Sequence, residues 1–351
     1  MDDTLLSVAA WRPAEQWQAD DESVELCMKV YMTRGRYVLL TAGVLVAWAA
    51  VLIALGASTA LAVAFLIIAV AMVGLTGWRW FVVGRWLPAA KALLSGSPSH
   101  RLPAVVVAHK DTGTVVAVGD RYLRVRLLSW GMRQVIARTG EITLVGPDVK
   151  GNAVVFVDGQ PAPLPARVVA KPAQTTVEPV VPVSRNGAQD AVPMSHARQR
   201  ARALLIPFAA PLLVIVALVY DATQPIPLLT DVRIEALAIY SWPIAAFGAL
   251  AMLAGLITVS PQLRLPKLLA AGQWQEYQAV ALSWRGESRR PVADLTVQLT
   301  RTNGELRRMV VKAAPVELVA HVHATGTLWI IDAGTAAGVP GYPIAAPARF
   351  V

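Results

Sequence analysis

The sequence predicts an α+β integral membrane protein: four transmembrane helices paired as two hairpins, each followed by a small cytoplasmic β-domain. Three observations predict it. Only 16% of the 351 residues are charged, against about 25% in soluble domains. The apolar residues gather in four charge-free runs long enough to cross a bilayer. A β-rich region of similar pattern follows each pair of runs, which indicates an internal tandem duplication.

The runs are residues 37–55, 58–77, 203–220 and 238–257, each near the roughly 17–25 residues needed to span the hydrocarbon core. Only Gly56-Ala57 separates the first two, so they form a tight hairpin. Lys29, Arg34, Arg36, Arg79, Arg85, Lys91, Arg198, Arg200, Arg202, Arg264 and Lys267 flank the outer ends of the pairs, whereas the hairpin tips hold only Arg233. Basic residues favour the cytoplasmic side. Both termini and the middle region are therefore expected in the cytoplasm of a bacterial inner-membrane protein. Trp78, Trp80 and Trp86 fit an inner aromatic belt, and Tyr220, Tyr240 and Trp242 an outer one. The acidic start, without a basic cluster or an early apolar run, predicts no signal peptide.

The domain plan is a cytoplasmic N-terminal segment at 1–36, a hairpin at 37–77, a β-domain at 78–159, a Pro/Ala-rich linker at 160–202, a hairpin at 203–257 and a β-domain at 258–351. Leu87-Pro88 and Leu265-Pro266 each predict a short helix ending at a glycine. AVVVAH at 104 matches AVALSW at 279, and YLRVRLL at 122 matches DLTVQLT at 294. ITLVGPDVKGNAVVFVD aligns without a gap on VELVAHVHATGTLWIID, placing Leu144, Val145 and Asp158 opposite Leu318, Val319 and Asp332. Asn303-Gly304 predicts a β-hairpin, whose counterpart in the first copy is placed near Gly131. About five short strands in each copy predict an SH3-like or OB-like barrel.

Few residues suggest chemistry. His321 and His323, read as alternate residues of a strand, would share one face and offer a metal two imidazoles. Their partners in the first copy are Pro147 and Val149, and no third ligand stands nearby, so they are only weak metal candidates. No catalytic or cofactor-binding residue is expected, because nucleophile elbow, HExxH and CxxC patterns are missing. The lone Cys27 reads as a small apolar residue. The spans carry no ionisable group of the kind that marks pumps. Gly43 and Ala47, Ala60 and Ala64, Ala245 and Ala249, and Ala251 and Gly255 are small residues four apart, suited to close helix packing within the chain or in an oligomer.

The net charge of +9 is dispersed around the spans, which argues against nucleic acid. It suits anionic lipid head groups, met by Arg34, Arg36, Arg79, Arg85, Arg198, Arg200 and Arg202. The expected function is that of a non-enzymatic accessory, scaffolding or regulatory subunit, binding other membrane or cytoplasmic proteins through its β-domains. A transporter or channel component is the first alternative, and a membrane enzyme with a site in the second β-domain is the other.

Overall fold

A computed structural model describes residues 8–13, 22–54, 59–110, 113–223, 232–286, 292–300, 304–331 and 336–351. Helices α1 (Glu22–Ala54) and α2 (Thr59–Arg79) come first, then a π-helical turn at Trp80–Gly84 and helix α3 (Leu87–Gly96). Strands β1 (Ser99–Lys110), β2 (Gly113–Val118) and β3 (Arg121–Val125) precede helix α4 (Trp130–Thr139), with β4 (Glu141–Val145), β5 (Asn152–Val157) and β6 (Gln160–Val169) after it. Helices α5 (Ala191–Leu205), α6 (Ala209–Thr223) and α7 (Val232–Leu269) follow. The chain then forms β7 (Trp274–Gly286), β8 (Val292–Thr300), β9 (Leu306–Pro315), α8 (Val316–Thr325), β10 (Thr327–Ile331), β11 (Ala336–Val339), β12 (Ile344–Pro347) and β13 (Arg349–Phe350).

Two compact units result. One comprises Met1–Thr33, Phe81–Gln199 and Arg264–Val351, and the other Arg34–Trp80 and Arg200–Leu263. Three stretches, Glu22–Ala54, Ala60–Gly96 and Ala191–Tyr220, are helices long and apolar enough to cross a membrane. The fourth apolar run lies within α7. In the helical unit most of the described residues packed inward are small: Ala42, Ala49, Ala62, Ala64, Ala69 and Ala217 are buried, with Leu218 and Gln262 the larger exceptions, while Leu40, Val70 and Ile206 are 69%, 70% and 71% exposed. A water-soluble bundle buries most of its large side chains, whereas this unit exposes many of them. Helix α2 packs against α6, and Gly255 brings α7 against the Phe208 ring, which a Cβ would approach to 3.0 Å. Gly43 faces open space, so the small pair expected with Ala47 makes no close step there. The side chains of Ala245 and Ala251 are outside the described residues.

In the other unit, β1-β2-β3-β6-β5-β4 form a closed, all-antiparallel barrel. The second sheet repeats this order as β10-β7-β8-β9, with β11 and β12 outside β10 and β13 outside β9. Only Ala348 separates β12 from β13, so together they play the part of β6. Each barrel therefore has a six-strand plan, with a helix between its third and fourth strands, where the sequence suggested five. Buried residues of both sheets, including Leu123, Val155, Leu295 and Leu328, join in one apolar core.

Five expectations are corrected. The stretch 316–325 is helix α8, not a strand, so the gap-free alignment with 142–158 sets a helix against a strand. The structural correspondence in this region is instead α4 with α8, an offset of 186 residues from Gly140 to Gly326. Both glycines are left-handed C-caps, at φ 67° and 65°. Thr139 Oγ1 donates to Val135 O at 2.9 Å, as Thr325 Oγ1 does to His321 O at 2.8 Å. Leu127 and Ala313, at the same offset, are the two non-glycine residues with positive φ among those described. Each swings the chain from a third strand into the helix. The match of AVVVAH with AVALSW does coincide in space: Ala104 N and Ala279 N donate to Gly140 O and Gly326 O, both at 2.8 Å.

YLRVRLL belongs to the third strand of its barrel and DLTVQLT to the second, so these two do not correspond. Gly131 lies in α4 and not at a turn; the first barrel's hairpin is at Gly119-Asp120, between β2 and β3. Strands β8 and β9 pair antiparallel across the hairpin read at Asn303-Gly304, where Asn303 is outside the described residues. The segment predicted to begin the linker at 160 is strand β6. Its prolines 161, 163 and 165 alternate, and Pro165 O accepts from Arg126 N at 2.8 Å, so their nitrogens face the β3 side where no ladder donor is needed over 161–165. Within the rest of the predicted linker, residues 191–202 belong to α5. Finally, Leu265-Pro266 opens no helix but lies inside α7, whereas Leu87-Pro88 opens α3 as expected, with proline in the first turn.

Candidate functional site

The apolar cores fix where the polar groups of the barrel unit meet. Trp11 is buried against Phe156, edge to face with ring centroids 6.2 Å apart, and its carbonyl accepts from Gly159 N at 2.7 Å. This anchors residues 8–13 on the β5–β6 turn. There the buried carboxylate of Asp158 accepts from Arg12 Nε at 2.9 Å and from Arg101 Nη2 at 3.3 Å, and Glu141 also pairs with Arg101. The turn residue Gly159, at φ 79°, lies against the second barrel: a Cβ there would sit 2.9 Å from Tyr342 Cδ1. Asp158 itself lies in the β5–β6 turn. Asp332 is outside the described residues.

A second buried cluster joins α4, the start of α5 and the β11–β12 turn. Asp190 Oδ2 accepts from Gly341 N at 2.8 Å, and Arg138 Nη1 donates to Gly341 O at 2.9 Å. The Arg138 guanidinium carbon lies 4.8 Å from the Tyr342 ring centroid. A cation over an aromatic face in a dry site contributes on the order of 2 kcal/mol. Burial pushes the Asp190 carboxyl up to about 7, although the Gly341 amide, Arg138 and Trp274 all favour the anion. Burial also raises the Tyr342 phenol. This arrangement ties the two barrels together through charge-assisted bonds; it places no carboxylate pair or nucleophile around a common point.

Between residues 8–12 and the second barrel is a cleft of about 510 Å³, bordered by Arg12, Glu276, Thr325, Thr327 and Trp329. The Trp329 indole N–H, buried at its wall, has no partner among the described residues. His321 is fully buried on the inner face of α8. Its Nε2 lies 3.4 Å from both Thr325 Oγ1 and Thr327 Oγ1, and burial lowers its pKa to about 4, so the ring is neutral. His323, two residues on, is exposed and touches the Trp284 ring edge to face at 6.5 Å. Two residues apart on a helix put the rings on different faces, which removes the geometric basis for a shared metal. Among the described residues, no three His, Cys, Asp or Glu side chains gather into a metal-binding group.

Of the flanking cations, Arg36, Arg85, Arg198 and Arg202 are exposed and Arg79 and Arg200 are half-buried; the side chain of Arg34 is outside the described residues. Trp78 and Trp80 are exposed, in keeping with a belt, but Trp86 is buried and donates from Nε1 to Ala153 O at 2.8 Å, so it fastens the chain to the first barrel instead. Tyr220 is exposed; the side chains of Tyr240 and Trp242 are outside the described residues. Cys27 is buried in α1. No family model, curated protein or solved structure matches this chain.

Proposed function

We propose that this chain is a polytopic protein of a bacterial inner membrane that works as a scaffolding or regulatory subunit, its two barrels in the cytoplasm and its apolar runs crossing as two hairpins. The apolar surface of the helical unit carries the membrane part of this reading, because Leu39, Leu40, Val44, Val63, Ile67, Val70, Leu212 and Val216 are exposed along charge-free stretches of helix, a continuous apolar face suited to lipid. The charge bias around the spans supports the orientation, with the exposed Arg36, Arg198 and Arg202 suited to anionic head groups. The subunit part rests on two same-plan barrels locked by buried polar clusters, a rigid platform of the kind that presents binding surfaces.

The test is purification from native membranes in a mild detergent. A partner protein is expected to co-purify in fixed ratio and to be lost when exposed barrel residues are changed. A chain that purifies alone and carries solute flux in reconstituted vesicles is a transporter or channel component, and that result would reject the proposal.

A further inference from the structure

The two barrels differ in how one edge of the first strand is treated. In the first barrel, β1 leaves β4 after Pro103 and its outer edge is taken over by the extended segment after β6. Thr176 N donates to Val107 O at 2.7 Å and Glu178 N to Val106 O at 3.4 Å. Helix α4 clamps that segment: Arg133 Nε donates to Glu178 at 2.9 Å, and Gln134 Oε1 accepts from Val181 N at 3.0 Å. Val107 is thereby only 8% exposed.

In the second barrel no described segment pairs with the same edge, although Leu26 of α1 lies against its end at Gly286. Both strands carry a bulge at the matching place, between Val106 and Ala108 and between Ala281 and Ser283. Val106 and Val107 therefore correspond to Ala281 and Leu282. No segment outside the barrel bonds to the carbonyls of Ala281 and Leu282 among the described residues. Leu282 is 44% exposed and Val280 64%, against 43% for its counterpart Val105. The clamp residues Arg133 and Gln134 are replaced, at the α4–α8 offset, by the buried apolar pair Val319 and Ala320, so no carboxylate is selected here.

We propose that the edge Val280–Trp284 of β7 binds an extended, uncharged Thr/Val/Pro-rich segment of a partner protein, as residues 174–183 bind β1 within the chain. The proposal rests on the reading of the barrels as a protein-binding platform. Two main-chain amides of the partner donate to Ala281 O and Leu282 O, and its apolar side chains cover Leu282 and Val280, which is strand-edge addition with a short partner. The first barrel has its occupant tethered, at an effective concentration on the order of millimolar; the second recruits one from outside.

The test uses the full chain in detergent with a photoreactive benzoylphenylalanine at position 282. The probe is a synthetic peptide of residues 173–184 carrying Glu178→Val, supplied at about 1 mM to match the tethered concentration. Saturable adduct formation is expected, falling at least about ten-fold, the equivalent of ~1.4 kcal/mol, when the amides of Thr176 and residue 178 are N-methylated. No adduct, equal labelling by the methylated peptide, or an adduct to a second copy of the chain in place of the peptide would each overturn it. Leu282→Lys, whose side chain is exposed and leaves the core intact, separates this proposal from the broader one. If the native partner still co-purifies with Leu282→Lys, the platform stands and the β7 edge is not its docking site.

Discussion

Replacing Asp190 by Asn removes the charge buried between the barrels and gives a signed pH effect. The folded-state carboxyl titrates near 7 because burial disfavours its anion, against 3.8 for the free side chain. A raised pKa means that the folded protein holds this proton more tightly than the unfolded chain does. Its stabilisation is complete below pH 3.8 and is lost as pH rises through 7. Between pH 5 and 8 the group alone therefore removes about 2–3 kcal/mol of stability, from ~1.4 kcal/mol per pKa unit. For a domain of this size that corresponds to a fall of roughly 5–10 °C in Tm. Thermal unfolding in detergent, followed by tryptophan fluorescence at pH 5 and 8, measures it. Wild type is expected to lose that much more than Asp190→Asn across the interval. A variant whose pH slope equals that of wild type would refute the buried, charge-costly placement of Asp190.

The remaining predictions use the same unfolding assay. Ala313→Gly is expected to stabilise by about 1 kcal/mol, because glycine removes the left-handed penalty at φ 49°; destabilisation would contradict the strained turn into α8. Gly159→Ala is expected to cost about 2–4 kcal/mol, since its Cβ would meet Tyr342 at 2.9 Å and the backbone is left-handed; a neutral result would mean that the barrels do not touch there. His321→Val, which installs the residue found at the matching position Val135, is expected to be neutral or up to about 2 kcal/mol stabilising, because the buried Nδ1 has no partner among the described residues. Metal content measured by mass spectrometry should be unchanged by His321→Val, and loss of a bound metal would revive the histidines as ligands.

The long-period features of this fold were legible, and the local ones were misread where two propensities competed. The apolar runs and the opening of α3 at Leu87-Pro88 follow directly from pattern. Helix α8 was hidden because VELVAHVHAT is rich in β-branched residues and its His321 and His323 stand two apart, as on a strand, and tertiary packing of Leu318, Val319 and Val322 into the core overrode that preference. The signal that would have found it is the Thr-Gly pair before an apolar strand, in ARTGEITLV and HATGTLWII, with glycine as C-cap both times. Strand β6 was hidden by prolines whose nitrogens face an unladdered edge. The Arg138–Asp190–Tyr342 and Arg12–Asp158 clusters had no local signal, because Arg138 and Asp190 meet the Gly341-Tyr342 turn only through the packing of one barrel on the other, and Arg12 meets Asp158 only through the docking of residues 8–13 on the first barrel.

Cysteine accessibility in intact cells tests the central claim most directly. Cys27 is buried and makes a poor reporter, so the background is Cys27→Ala with single cysteines at Gln224, in the connection between α6 and α7, and at Val149, fully exposed on the first barrel. An impermeant maleimide is expected to label the Gln224→Cys protein in intact spheroplasts and the Val149→Cys protein only after permeabilisation. Labelling at 149 without permeabilisation, or protection at 224, would contradict two hairpins carrying cytoplasmic barrels.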